Sequence, residues 1–397
     1  MNKILSKDYA KGKYKYLLLI FTPLLFAWNP QGDPPPRYNS FFPGKLLFDN
    51  NEQLVNAHSA GILYHEGTYY WFGEHKSERT TLALVGVTVY SSQDLYNWKN
   101  EGVALSVTDD ESSPIVKGCI IERPKVIYNE KTKTFVMYFH LELKGQHYDA
   151  AQVGIATSKT ATGPYTLVKG TRVNAGHWPM NVTEEQKQIE YQDIHYTDRS
   201  APGWEDALIE GLYLKRDMEG GQMSRDMTLF VDDDKKAYHI YSAEENFTLH
   251  IAELTDDYLN YTGRYIRVAP GGSNEAPALF KRNGQYFMFA SGTTGWDPNP
   301  ARLLMADDIL GEWTQHPNPC VGEGAELTFR SQSTYVLPVQ GKKDAFIFLA
   351  DRWIPDNPID SRYVWLPVKF NKEGIPYLEW LGRWKLDIFD NPDIGRN

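Results

Sequence analysis

Apolar and polar residues alternate along this chain in short runs. Turn residues break the runs, and the runs come in pairs. In HSAGILYHEGTYYWF, from His58, an apolar arm and an aromatic arm flank Glu66-Gly67. The unit returns as ERPKVIYNEKTKTFVMYF from Glu122, SRDMTLFVDDDKKAYHIY from Ser224, NEAPALFKRNGQYFMFA from Asn274 and RSQSTYVLPVQGKKDAFIFLA from Arg330. Turn residues sit mid-unit each time: Asn129-Glu130, Asp233-Asp234, Asn283-Gly284 and Gln340-Gly341. A second β-pair follows each hairpin, as in VGVTVYSSQDLYNW and ARLLMADDILGEWTQ. Five repeats of four strands predict an all-β chain, a five-bladed β-propeller with four-stranded antiparallel blades around a central channel. A β-sandwich with an appended domain is the competing architecture, and the even spacing counts against it.

Successive repeats start 64, 102, 50 and 56 residues apart. The long interval contains residues 174–221, a polar, Trp- and Asp-rich stretch with little strand pattern. It reads as an insertion on one face that shapes a substrate site. Residues 46–397 are thus expected to form one propeller domain. Ahead of them, five lysines precede a 12-residue apolar run at 17–28, LLLIFTPLLFAW. That is short for a membrane span and suits a signal peptide over residues 1–30. Residues 31–45, containing NPQGDPPPR in part, read as an extended linker. The expectation is export to the periplasm or beyond, with no membrane association past the export signal.

Composition narrows the partners. A net charge of −10 disfavours nucleic acid, whose phosphates need clustered Lys and Arg. Two cysteines without a CxxC give no zinc or redox motif. The 11 Trp and 25 Tyr suit both β-rich cores and sugar clefts. Propeller inner strands begin at the channel, so the leads of the repeats converge there. Aligned, they read HSAGILY, ERPKVIY, SRDMTLF, NEAPALF and RSQSTYV. Three carry acids, Glu122, Asp226 and Glu275, and a fourth carries Gln332. Desolvating carboxylates is costly, so three at equivalent places are better explained by chemistry than by folding.

These leads resemble glycoside hydrolase family 43, over roughly residue 46 to the C-terminus. The most specific pieces are RDMTLFVDDDKKAYHIY and EAPALFKRNGQYFMF. The resemblance implies that Glu275 is the general acid and that Asp226 orients it and raises its pKa. Met227 replaces the family's Pro, and Lys235 stands near its Gly. The family's catalytic base belongs in a first-blade ADPSI-like lead. Here that lead is HSAGI, and the position falls on Ala60. An NAHxxGI lead with ERP in the second repeat and SQS in the fifth is similar to the branch with exo-β-1,3-galactanases and related galactosidases and arabinofuranosidases. In that branch the base Asp is missing and a glutamine is proposed to relay the proton. This implies Gln332 as water-positioning or relay group, and Glu122 as substrate contact or alternative base.

The expected reaction is inverting hydrolysis that frees a terminal sugar, galactose favoured, from an oligo- or polysaccharide of arabinogalactan type. An arabinofuranosidase or β-xylosidase on the same scaffold, or a propeller that only binds glycans, are the alternatives. Retention of the Glu275–Asp226 pair favours the enzyme. His58, Arg123, Trp296, Arg302 and Arg352 are the expected sugar-binding residues, with Trp353 closing the rim. Asp232-Asp233-Asp234 reads as a solvated hairpin turn, so no metal site is expected. No cofactor is required, although a structural calcium occurs in parts of the family. The expected state is a monomer.

Overall fold

The computed structural model describes residues 38–188 and 203–390. The apolar run at 17–28 lies outside them, as do residues 31–37 of the 31–45 linker. No helix among the described residues is long and apolar enough to cross a membrane.

The paired runs form meandering sheets. Strands β1 (His58–His65), β2 (Thr68–Glu74), β3 (Gly86–Ser92) and β4 (Lys99–Ser106) make the first antiparallel blade. The second comprises β5 (Ile120–Asn129), β6 (Thr134–Glu142), β7 (Gln152–Ser158) and β8 (Thr166–Thr171). The third comprises β9 (Met227–Val231), β10 (Ala237–Ala243), β11 (Thr248–Leu254) and β12 (Tyr261–Val268). The fourth comprises β13 (Asn274–Arg282), β14 (Gln285–Gly292), β15 (Arg302–Ala306) and β16 (Thr314–His316). Beyond these, β17 (Cys320–Val321), β18 (Gln332–Pro338), β19 (Phe346–Arg352), β20 (Arg362–Pro367), β21 (Lys369–Phe370) and β22 (Pro376–Glu379) form two three-stranded sheets, β18-β19-β20 and β17-β22-β21. The fold is an all-β propeller with four-stranded antiparallel blades. The described residues thus make six sheets against the five repeats of the sequence.

Apolar side chains fill the spaces between successive sheets. Phe72, Val87 and Val89 meet Met137 and Phe139 between the first two blades. Trp71 and Trp98 pack on Ile347, Leu349 and Trp365, joining the first blade to the sheet of β18-β19-β20. Tyr38–Lys45, at the end of the predicted linker, lies on this seam. Phe41 pairs in both directions with Trp384, at 2.8 and 3.2 Å, and their rings stack at 4.2 Å.

A recurrent irregularity aims the leads. The strand register shifts by one residue after His58, after Glu122 and after Glu275. The next residue is left-handed each time: Ser59 at φ 52°, Arg123 at 54° and Ala276 at 53°. Such a bulge bends the strand and re-aims its side chains, here at the mouth of the channel.

The described parts of the insertion carry three short helices, α1 (Glu184–Lys187), α2 (Trp204–Glu210) and α3 (Leu212–Arg216). They pack on the third blade. Arg267 of β12 donates to Leu208 O at 2.7 Å while clasping the buried Glu244 carboxylate at 2.8 and 2.7 Å.

Candidate active site

The leads enclose one cleft. Its walls are Ser59, Glu74 and Lys76 from the first blade and Glu122, Arg123, His140 and Tyr148 from the second. Arg225, Asp226, Asn246, Glu275, Gly295, Trp296, Gln332 and Trp353 complete it.

Arg123 is the hub. Its guanidinium pairs with Asp226 Oδ2 at 2.9 Å, donates to Gln332 Oε1 at 2.5 Å and to Ser333 O at 2.9 Å. Its backbone N–H donates to Glu74 Oε1 at 3.0 Å, and Glu74 pairs with Lys76. The guanidinium thereby ties the second blade to the Asp226 lead and to the β18 lead, several partners that suit a planar fork better than an ammonium, while the backbone N–H adds the first blade. Asp226 Oδ2 also accepts the Ala276 N–H at 3.0 Å, which fixes Asp226 beside Glu275.

Glu275 accepts a hydrogen bond from Asn246 Nδ2 at 2.8 Å. Burial first, and the Asp226 charge second, push its carboxyl up to about 8. Asn246 is presented by an unusual turn, since Glu244, Glu245 and Asn246 are all left-handed, at φ 51°, 57° and 65°. The insertion braces that turn from behind. Arg216 of α3 pairs with Glu245 at 3.0 Å, and Arg267 holds Glu244.

Glu122 is treated in the opposite way. Burial works to raise its carboxyl, but the His140 contact and the Lys76 charge outweigh it and leave it below the ordinary range. Tyr148 donates to Glu122 Oε1 at 2.9 Å, and His140 Nδ1 lies 3.2 Å from Oε2. One carboxylic acid and one carboxylate thus face the same cleft, which is the pairing that glycoside hydrolysis uses.

Gln332 Oε1 accepts from Arg123 and, at 3.0 Å, from Trp353 Nε1, while its Nε2 donates to Ser291 Oγ at 3.0 Å. Both oxygen lone pairs are in use. The amide can still donate one N–H into the cleft, but it offers no acceptor.

The model of glycosyl hydrolases family 43 matches residues 200–376. A solved family 43 β-1,3-galactosidase, bound to galactodeoxynojirimycin, is 55% identical, with a TM-score of 0.85 over 87% of this chain and 100% of that one. The chain belongs to glycosyl hydrolases family 43. An exo-β-1,3-galactanase from Phanerochaete chrysosporium is 31% identical over 90% of this chain and 70% of its own, with a TM-score of 0.70. A β-D-galactofuranosidase from Aspergillus niger is 27% identical over 159 residues, 39% of this chain and 45% of that protein. The chain thus spans less than half the length of that relative.

Within this family 43 glycosidase, the cleft gathers Glu122, Arg123, Asp226, Glu275, Trp296 and Gln332, together with Trp353. It does not gather three of the expected sugar-binding residues. His58 is fully buried, 3.4 Å from Asp351 and stacked on Tyr363. Arg302 is spent on Gly272 O, Ser273 O and Asn274 Oδ1, where it pins the start of β13. Arg352 donates to Phe329 O at 2.7 Å and lies over Trp380, away from the cleft.

The first-blade lead is likewise scaffold. Asn56 clamps the Lys76 backbone with bonds of 2.8 and 2.9 Å, and Trp71 Nε1 donates to Ala57 O at 2.9 Å. A Cβ on Gly73 would sit 2.1 Å from Ala57, so the two strands close only around glycine. Ala60 is buried, and the residue of this lead that reaches the cleft is its neighbour Ser59. Beneath it runs Lys125, whose Nζ donates to Ser59 O at 3.0 Å. Burial first, and the Arg123 charge second, push that ammonium down to about 7.

Glu74, Lys76, His140, Tyr148, Arg225 and Asn246 were not foreseen. One signal was available: FHLE and GEHK place charged residues inside aromatic arms that should otherwise be apolar. The Asp232–Asp234 turn is tied rather than free, because Lys281 and Tyr286 of the fourth blade both bond Asp232, at 2.6 and 2.5 Å.

Proposed function

We propose that this chain is an exo-acting, inverting galactosidase that frees terminal galactose from β-1,3-linked galactan or arabinogalactan-type glycans. The observation that carries this reading is the Glu275 carboxyl, held protonated to about 8 beside Asp226 in the cleft. The kinship with β-1,3-galactosidases and exo-β-1,3-galactanases supports the choice of sugar.

Glu275 gives its proton to the glycosidic oxygen as the bond breaks. Asp226 keeps that proton in place, and Arg123 holds Asp226. Water attacks the opposite face of the sugar. Gln332 holds that water through its remaining N–H, and Glu122, the anion without an arginine partner, takes the proton. Trp296, 38% exposed and edge-on to Trp353 at 5.4 Å, offers the apolar face on which the leaving sugar stacks. No metal is required. Glu122, His140 and Asp226 each place a ligand-type atom within 4.8 Å of the others, but His140 already faces carboxylates through both ring nitrogens.

We also read the ring as five-bladed. Only Val368 separates β20 from β21, and its N–H continues the β19 pairing at Phe346 O, 2.9 Å away. The two three-stranded sheets then make one broken blade.

The test is sugar release from β-1,3-galactan, arabinogalactan and aryl β-galactosides, with an aryl galactofuranoside as control. Release of galactose alone, abolished by Glu275→Gln, is the expected result. Release only from the furanoside, or glycan binding without release, would overturn the reading.

A further inference from the structure

Glu142 belongs to no surface and touches no substrate space, yet it is a fully buried carboxylate, one residue removed from His140 on β6. Period-two geometry puts the two side chains on one face of the strand. Glu122 lies directly across the ladder from His140, in register. The three groups therefore form a row running from the interior to the cleft. Glu142 Oε1 lies 2.7 Å from His140 Nε2, and His140 Nδ1 lies 3.2 Å from Glu122 Oε2. The second oxygen of Glu142 accepts the Ala151 N–H at 2.9 Å, so the carboxylate cannot swing away.

The geometry points to Glu142 as a positioning residue: acting through His140, it holds the Glu122 carboxylate charged and fixed in the cleft. This rests on the galactosidase reading and adds to it the source of Glu122's charge. One carboxylate is hydrogen-bonded at Nε2 and a second lies within ion-pair distance of Nδ1, an arrangement that favours the imidazolium over either neutral tautomer. Burial alone would strip the ring of its proton, but the two carboxylates reverse that and push His140 up to about 9. The groups facing the row are Glu122 and Arg123 from β5, Glu142 on the same strand, Tyr148 from the loop beyond it, Glu74 and Lys76 from the first blade and Asp226 from the third. Lys76 pairs with Glu74 and Asp226 with Arg123, so His140 is the cation in direct contact with Glu122.

The sign follows. In the wild-type protein the imidazolium persists below about 9, across the working range. Glu142→Gln removes one of the two anions that oppose burial, so the ring gives up its proton at a lower pH than in the wild type. Glu122 then loses its cation just where the enzyme should work. Galactose release by Glu142→Gln is expected within about threefold of wild type at pH 5.5 and at least about tenfold lower at pH 7.5. Glu142→Asp, which keeps the charge, should keep the wild-type profile. A loss of equal size at both pH values, or no loss, would overturn the proposal.

A spectroscopic readout covers the case in which Glu142→Gln does not fold. In ¹⁵N-histidine-labelled wild-type protein at pH 8, one imidazole should retain protons on both nitrogens, and its signal should vanish in His140→Gln. A neutral His140 at that pH would overturn the proposal. Wild-type protein that releases no galactose at all would instead remove the reading on which it rests, while the charge on His140 would still be measured.

Discussion

At the scale of residues, one acid is held protonated and another ionised within the same cleft. As the proposed acid, Glu275 would donate only while it carries its proton, so kcat/KM should hold below about 8 and fall as pH rises through that value. Asp226 contributes to the upward push, whereas Arg123 opposes it. Asp226→Asn removes the first and frees the second, so the alkaline limb should move to lower pH by about one unit. An unmoved limb in a pH–rate profile would show that Asp226 does not set the acid. Glu275→Gln should cost at least about a thousandfold on galactan and much less on aryl galactosides whose leaving group needs no proton. The acids and Gln332 were legible because a carboxylate at the start of an apolar strand is conspicuous. His58, Arg302 and Arg352 misled because polar residue type alone does not tell a cleft wall from a buried clamp. Each of the three is engaged by backbone or buried groups behind the cleft.

At the scale of elements, strained turns place the chemistry. The bulges after His58, Glu122 and Glu275 are invisible to period-two reading, since one inserted residue breaks the register on which that reading depends. The family resemblance puts the missing base at Ala60, and the residue of that lead that reaches the cleft is Ser59. The three-residue left-handed turn at 244–246 is held by the Glu244–Arg267 pair, with His250 Nε2 also 2.9 Å from Glu244. Burial works to raise Glu244, but Arg267 and His250 bring its carboxyl down to about 2. The resulting stability is complete above the ordinary glutamate range and is lost as pH falls toward that value. Arg267→Leu strands a buried charge and should cost about 3–5 kcal/mol in denaturant unfolding. It should also loosen the turn that presents Asn246. Asn246→Ala isolates that second effect. Asn246 lowers the Glu275 value, so its loss should move the alkaline limb upward, opposite to Asp226→Asn, with about a tenfold drop in kcat. Movement in the same direction as Asp226→Asn would contradict this role for Asn246.

At the scale of the whole molecule, the repeats were readable because each blade must bury both faces of a twisted sheet, which forces paired apolar runs. Closure of the ring was not readable. It depends on contacts between residues more than 300 positions apart, and no local pattern records these. Trp384 shows the consequence. It is 4% exposed, stacks on Phe41, and its Nε1 donates to Trp365 O at 2.8 Å. It thus seals the start of the described chain against the seam between the first blade and the β18-β19-β20 sheet. Trp384→Ala removes both ring packing and a buried hydrogen bond, so it should lower unfolding stability by about 3–5 kcal/mol. Trp384 is absent from the cleft walls, so kcat/KM should stay at the wild-type value at temperatures where the variant is folded. Trp296→Ala should do the reverse: stability within about 0.5 kcal/mol of wild type, with a raised KM for galactan. The two variants, measured side by side by denaturant melts and initial rates, separate the tryptophans that hold the ring from the tryptophan that meets the sugar. A stability loss from Trp296→Ala as large as that from Trp384→Ala would place Trp296 with the scaffold and leave the leaving-sugar platform to Trp353.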